Sequence, residues 1–397
     1  MQFRSMASSF QYRLRRERKP ASVADWREAA RRALPEMIWA YVDDGAEGCR
    51  TKARNEAAFD EYRLRQICLT GVAAPKLAKR FAGTDLSMPF ALAPTGMTAL
   101  SHWSGDVACA QAAEAAGIRY TLSGACSYTP EEVAAATQEK HWFQLYCFGD
   151  PDTIGKLVER AQSAGYTALF VTVDTPVRGH RESETRTGST VPPTLTPGTA
   201  WDFMRHPLWT WGALRKKRTV PILYAEMERA RAGESDLQRA ARVQARMMML
   251  DLHWDDMRWV RDRWKGKLYI KGLLDPDDAE RAVVEIGADG VVVSNHGGRQ
   301  LDHALAALDA LPAIRERLGA RGEVLMDGGI RRGSDIIKAL CLGADGVFVG
   351  RPYVYGLAAG GRQGVKEVID LLRADLHRTM VLMGCPDVAK LDRSWVL

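Results

Sequence analysis

Eight short runs of β-forming residues, each ending in a polar residue or glycine and most followed by helix-compatible text, constrain this chain more than any other feature. They are Phe90 to Thr95, Arg119 to Ser123, Trp142 to Tyr146, Ala168 to Asp174, Leu268 to Gly272, Gly290 to Asn295, Glu323 to Gly328 and Gly346 to Arg351. Helical stretches lie between them, among them Asp106 to Ala116, Asp152 to Ala164, Asp275 to Ile286 and Ser334 to Leu342. Strict alternation of this kind implies parallel strands joined by right-handed crossovers. Leu169-Phe170-Val171 and Val291-Val292-Val293 lack polar alternation, so both faces of the sheet are covered. Eight such units predict an α/β fold, a closed (β/α)8 TIM barrel rather than an open doubly wound sheet. The phrase Gly-Ala-Asp-Gly, at 287–290 and again at 343–346, marks two late units as copies of one plan.

A barrel needs about 250 residues, and the chain has 397. The surplus predicts a basic N-terminal tail over 1–20, then one barrel domain over 21–397 that opens with a helical extension and carries a long insert, 188–242, after the fourth strand. No run approaches the roughly 20 apolar residues of a membrane span, and the start lacks the apolar core of a signal peptide, so the cytoplasm is the default expectation. Seven scattered cysteines with no Cys-x-x-Cys pair suggest neither a disulfide framework nor a metal site. The net charge of +6 gathers in Arg13 to Lys19 and in Arg215 to Arg218, which suits anionic partners without calling for nucleic acid.

In a barrel, chemistry collects where strands end. In order, these ends carry Thr95, Ser123, Gln144 with Tyr146, Thr172 with Asp174, Lys271, Ser294 with His296 and Arg299, Asp327 with Arg331, and Gly350 with Arg351. The most specific stretch is Ser294-Asn295-His296-Gly297-Gly298-Arg299-Gln300-Leu301-Asp302. An imidazole can accept a proton near neutral pH, and a guanidinium three residues on can clamp a carboxylate. Glycine turns at Gly328-Gly329 and Gly350, with Arg331 and Arg351, supply the amides and cations of a phosphate site. No Gly-x-Gly-x-x-Gly follows the first strand, which favours a monophosphate over a dinucleotide.

The stretch 294–302 resembles the signature of the FMN-dependent 2-hydroxy acid dehydrogenases and oxidases, the group of glycolate oxidase, L-lactate dehydrogenase and mandelate dehydrogenase. Further pieces match in order from about Ala21 onward: Leu34-Pro35, Tyr41, Gly45-Ala46-Glu47, Ala93-Pro94-Thr95-Gly96-Met97, Phe143-Gln144-Leu145-Tyr146, Thr172-Val173-Asp174-Thr175-Pro176, Lys271-Gly272, Asp327-Gly328-Gly329-Ile330-Arg331 and Gly350-Arg351-Pro352. The resemblance implies FMN as cofactor and two-electron acceptor, and oxidation of an L-2-hydroxy acid, L-lactate first among them, to the 2-oxo acid. It assigns His296 as base with Asp174 orienting it, and Tyr146 and Lys271 beside the reacting atoms, Lys271 at the pyrimidine end of the flavin. Arg181 and Arg299 are the candidates for the substrate carboxylate, assisted by Tyr41 and Tyr146, because a planar guanidinium matches a carboxylate better than lysine does. Thr95, Gly96, Ser123, Gln144, Thr172, Ser294 and Asp327 fall to the cofactor with Lys271 and the phosphate turns. Relatives form tetramers about a fourfold axis, which implies a homo-oligomer; the electron acceptor, whether oxygen, a quinone or a cytochrome, stays open.

Two departures bear on the substrate. Gly96 stands where glycolate-oxidising relatives tend to have alanine, and Ala125 where they carry tryptophan, so the pocket is expected to take a side chain larger than that of glycolate: lactate, or an aryl or branched acid such as mandelate. Glu184 and Thr187 replace the usual Asp and Asn. In the insert, Pro192-Pro193, three tryptophans (Trp201, Trp209, Trp211) and Arg215 to Arg218 have the composition of a membrane-surface segment, which would put the enzyme on the cytoplasmic face of the inner membrane; a flap packing its tryptophans on the barrel is the competing expectation. A flavin-dependent modification of a peptide-derived substrate in cofactor biosynthesis, and a phosphate-binding scaffold without catalysis, are the other functional readings.

Overall fold

The structure, a computed structural model, describes residues 19–147, 151–189, 194–216, 218, 220–227, 233–235, 238, 239, 242 and 251–397. Tail residues 1–18, Pro192-Pro193 and Lys217 lie outside the described residues. Chain order begins with three extension helices, α1 Val23–Ala33, α2 Glu36–Asp43 and α3 Arg50–Ala57, then a hairpin, β1 Lys79–Phe81 and β2 Thr84–Leu86.

Eight parallel strands follow: β3 Phe90–Leu92, β4 Thr121–Ser123, β5 Trp142–Tyr146, β6 Ala168–Thr172, β7 Lys267–Leu273, β8 Gly290–Val293, β9 Glu323–Asp327 and β10 Gly346–Val349. They pair in the order β3-β10-β9-β8-β7-β6-β5-β4, and a parallel bridge from Leu92 to Tyr120 brings β3 against the chain entering β4, which makes the sheet a barrel. All eight expected runs are strands. β4 and β5 end where expected and β7 runs on to Leu273, while the other five end earlier than their β-rich text: Pro94 has no N–H to give to a ladder, so Thr95 stands in the loop beyond β3.

The crossover helices carry the expected stripe and caps. In Pro151–Ser163 the buried residues are Ile154, Leu157, Val158 and Ala161, three or four apart on one face. Pro276–Val284 starts with proline, and its N-cap Asp275 accepts from the amides of Asp277 and Asp278 at 2.8 and 3.2 Å. The chain's final long helical segment, Arg351–Met383, is kinked at Gly361 and packs along α1.

The two ends of the barrel are built differently. At the N-terminal end, Phe81 of the hairpin joins Trp142, Phe170, Tyr269 and Phe348 in a fully buried aromatic layer, with ring centroids 4.9–6.0 Å apart. Each such side chain contributes roughly 1.5–3 kcal/mol through burial. Glu323 anchors the floor, accepting from Ala82 N at 2.7 Å and from the Tyr269 hydroxyl at 2.9 Å. At the C-terminal end the extension helices and the insert, including the helices Pro197–Arg205 and Pro207–Lys216, surround an open mouth.

Candidate active site

The mouth holds a cavity of about 510 Å³. Its lining brings together Tyr41, Thr95, Gly96, Gln144, Tyr146, Thr172, Arg181, Lys271, His296, Arg299, Asp327, Gly328, Gly329, Arg331, Gly350 and Arg351. Asp174, Ser123 and Ser294 stand one step behind, each bonded to a lining residue. Six Lys or Arg side chains face the cavity against the single carboxylate of Asp327, so the space favours an anion.

Polar side chains at successive strand ends form two chains. On one side Ser123 Oγ donates to Gln144 Oε1 at 3.0 Å, and Gln144 Nε2 donates to Thr172 Oγ1 at 2.9 Å. On the other, buried Lys271 donates to Ser294 Oγ at 2.9 Å and pairs with Asp327 Oδ2 at 2.9 Å, while Ser294 donates to Asp327 Oδ1 at 2.6 Å. Burial works to lower the Lys271 pKa, yet Asp327 and Asp174 outweigh it and hold the ammonium charged. Lys271 is thus an ion-paired cation on the cavity lining.

His296 Nδ1 lies 3.0 Å from Asp174 Oδ1. The second Asp174 oxygen is buried without a hydrogen-bond partner. Burial pushes this carboxyl up, but His296 and Lys271 together hold it below its ordinary value, so it stays ionised. The pairing leaves His296 Nε2 toward the cavity, 3.5 Å from the Tyr146 hydroxyl. Burial raises the pKa of both Tyr41 and Tyr146, which keeps their hydroxyls as donors; that of Tyr41 donates to the Gly96 carbonyl at 3.0 Å.

Two largely buried arginines beside His296 donate their hydrogen bonds to backbone carbonyls, and Arg299 also lies 3.9 Å from the Glu184 carboxylate. Arg299 donates to the carbonyls of Asp44 and Tyr41 at 2.9 and 2.8 Å, and Arg351 to those of Gly297 and Asp44 at 2.8 and 2.7 Å. Burial, with Arg181 and Arg351 nearby, pushes the Arg299 pKa down to about 9. A bound carboxylate would relieve that penalty. Arg181 pairs with buried Glu184 at 3.0 Å, and Arg178 contacts the same acid. Arg331 reaches Glu56 at 2.8 Å.

Residues 30–397 match the FMN-dependent dehydrogenase family. This chain belongs to that family. It is 40% identical over 385 residues to an L-lactate dehydrogenase of Caulobacter vibrioides, covering 94% of this chain and 97% of the relative, and 39% identical over 374 residues to an L-lactate dehydrogenase of Xanthomonas campestris pv. campestris, covering 94% and 95%. Among solved structures, that of the monotopic membrane protein (S)-mandelate dehydrogenase superposes with a TM-score of 0.90 at 36% identity, covering 96% of this chain and all of that one.

The mouth fits FMN. A Cβ built on Gly350 meets only the Ala93 side chain, at 3.7 Å, so the backbone there borders open space beside Arg331 and Arg351. Donors and acceptors for a polar ring line the cavity, and the cations Arg181 and Arg299 line it together with His296. Sequence reasoning missed Asn55, Asp302 and Glu184 as contributors. Asp302 accepts from the amides of Thr51 and Arg50 at 2.7 and 3.2 Å, capping α3 onto the loop that bears His296. Its place within 294–302 was the available signal; for Asn55 there was none beyond its position in the extension.

Proposed function

We propose that this FMN-dependent dehydrogenase oxidises the L hand of a 2-hydroxy acid to the 2-oxo acid. The observation that carries the reading is the His296–Asp174 pair at 3.0 Å within a cationic, partly apolar mouth. Arg181 and Arg299 hold the substrate carboxylate, and the hydroxyls of Tyr41 and Tyr146 orient its oxygens. His296 Nε2 takes a proton from the substrate, while Asp174 fixes the ring orientation and stabilises the imidazolium that results. FMN, when bound, would supply the acceptor for the two electrons and the second hydrogen that the substrate loses. Lys271, charged and buried, would offset negative charge on the bound cofactor; Gln144, Thr172, Ser123, Ser294, Asp327, Thr95 and Gly96 would hold its ring, and Gly328, Gly329, Arg331, Gly350 and Arg351 would take its phosphate.

The L-lactate dehydrogenase relatives make L-lactate the substrate to test first. A specific observation favours a bulkier second substrate. Gly96 brings no side chain and Ala125 only a methyl to the pocket wall, and Leu100, Leu195, Phe203 and Trp209 make its neighbourhood apolar. Turnover of glycolate equal to or better than that of lactate and mandelate would overturn the enlarged pocket.

The insert supports both earlier expectations at once. Trp209 packs on the barrel, its Nε1 donating to the Leu100 carbonyl at 2.6 Å, whereas Trp201, Met204, Leu208, Trp211 and Leu214 are exposed beside Arg205, Arg215 and Lys216. No helix among the described residues is long and apolar enough to cross a membrane. Peripheral attachment through this face is the reading these exposed side chains support. Cosedimentation with anionic vesicles tests it: replacing Trp201, Leu208 and Trp211 with serine is expected to release the protein, and unchanged binding would overturn the attachment.

A further inference from the structure

Helix α3 lies outside the barrel, yet its backbone is wedged between two glycine turns of the mouth. A Cβ on Gly298 would stand 2.5 Å from Lys52 N, and one on Gly329 only 1.9 Å from the Asn55 carbonyl oxygen. Between these contacts, Asn55 and Asn295 form a reciprocal amide pair: the Nδ2 of each donates to the Oδ1 of the other at 2.8 Å. Both residues are buried, at 3% and 5% exposure, so breaking one side leaves the other's polar atoms unpaired out of reach of water.

Asn295 immediately precedes the base. Its Oδ1 also accepts from Gly298 N at 3.0 Å, and its Nδ2 donates to the Leu305 carbonyl at 2.9 Å, so the amide spans the turn it begins. Asn55 Oδ1 in turn accepts from Ala307 N at 3.4 Å. Within the turn, His296, Gly297 and Gly298 have successive φ of 58, 63 and 71°. A side chain in the left-handed region costs roughly 1–2 kcal/mol, and such a conformation persists only where the surroundings over-determine it. The amide pair and the packed α3 backbone supply that determination from a segment about 240 residues away in sequence.

We propose that Asn55 is a positioning residue: through Asn295 it holds the His296–Gly298 turn in its left-handed form and fixes the imidazole relative to the Gly328-Gly329 turn. Gly328 lies on the same side chain, since a Cβ there would meet the Asn55 amide group at 3.5 Å. One helix thus sets the geometry between the proton acceptor and the end of the mouth assigned to the FMN phosphate. The inference rests on reading His296 as the base.

Holoenzyme carrying Asn55→Leu, Asn55→Asp or His296→Gln is mixed anaerobically with L-lactate and with (S)-mandelate, and the histidine ring signals of each protein are recorded by NMR at one pH. Displacing a reacting group by about 1 Å costs on the order of 100-fold in rate. Asn55→Leu is therefore expected to slow flavin reduction by about that factor while half-saturating substrate shifts less than about threefold, and to displace the ring signal that His296→Gln removes. Asn55→Asp, which keeps the acceptors and loses the donation to Asn295 Oδ1, is expected to slow it about tenfold. If Asn55→Leu does not fold, Asn55→Asp decides by the same readouts. Wild-type reduction rates with an unmoved His296 ring signal overturn the inference, as does a rate loss accounted for by lost FMN alone. Wild-type reduction by His296→Gln instead overturns the base assignment itself; a dead His296→Gln beside normal Asn55 variants removes only the positioning role.

Discussion

The mouth and the floor of this barrel are made from the two ends of the same eight strands, and they solve opposite problems. The floor is dry and aromatic: Phe81, Trp142, Phe170, Tyr269 and Phe348 interlock, and its one prominent acid, Glu323, is satisfied by a tyrosine and a backbone amide. The mouth gathers cations against few acids, gives the hydrogen bonds of Arg299 and Arg351 to backbone carbonyls, and contains a left-handed histidine. Stability is concentrated at the floor, and the features that cost stability sit at the mouth, where a ligand of opposite charge would offset them.

Substitutions at the two ends should therefore separate activity from stability. The largest effect is expected at the mouth: His296→Gln should slow anaerobic flavin reduction on the order of 10³- to 10⁴-fold with little change in melting temperature. A comparable loss of stability without loss of rate would reverse the assignment of the two ends. Trp142→Ala at the floor should do the opposite, lowering unfolding free energy by about 3–5 kcal/mol while KM and kcat of the folded fraction hold, as read from denaturant unfolding and steady-state rates.

A smaller effect sharpens the contrast through pH. His141, on the floor side ahead of β5, is buried with Nε2 unpartnered; burial, reinforced by Arg119, pushes its pKa down to about 3. Its Nδ1 accepts from Tyr120 N at 3.2 Å, a bond that protonation breaks. Between the unfolded value of about 6.5 and about 3, the unfolded chain binds the extra proton. The contribution of neutral His141 is thus complete above the upper limit and lost as pH falls through the window, amounting to about 2 kcal/mol at pH 5. His141→Asn should flatten the fall in melting temperature across that window, and an unchanged slope would remove His141 from the account. The smallest effect concerns specificity: Gly96→Ala should cost about tenfold in kcat/KM for mandelate relative to lactate, because the added methyl meets Ala125 and the Tyr41 hydroxyl.

How much of this could be read from the chain alone depends on the range of the interactions. The eight strands and the residues at their ends were legible, because apolar runs and the polar residue closing each are local patterns. The hairpin β1–β2 was not: its strands have three residues each, and Ala82-Gly83 is a weak turn signal whose left-handed alanine is held by distant Glu323. The mouth residues converge as expected, but their partners were invisible. The carbonyls of Tyr41 and Asp44 under Arg299, the Glu184 carboxylate on Arg181 and the Asn55 amide on Asn295 are long-range or short-loop contacts with no periodicity to announce them. The earlier ends of β3 and β6 than their β-rich text follow from loops beginning at Pro94 and Asp174, where the backbone turns to present side chains to the cavity.

The most direct test of the central claim is anaerobic mixing of the purified yellow protein with L-lactate, (S)-mandelate and glycolate in turn, following the visible flavin absorbance before air is readmitted. The account predicts bleaching by L-lactate or (S)-mandelate, faster than by glycolate, and abolished in Asp174→Ala as well as His296→Gln. A flavin that stays oxidised with all three acids would contradict it.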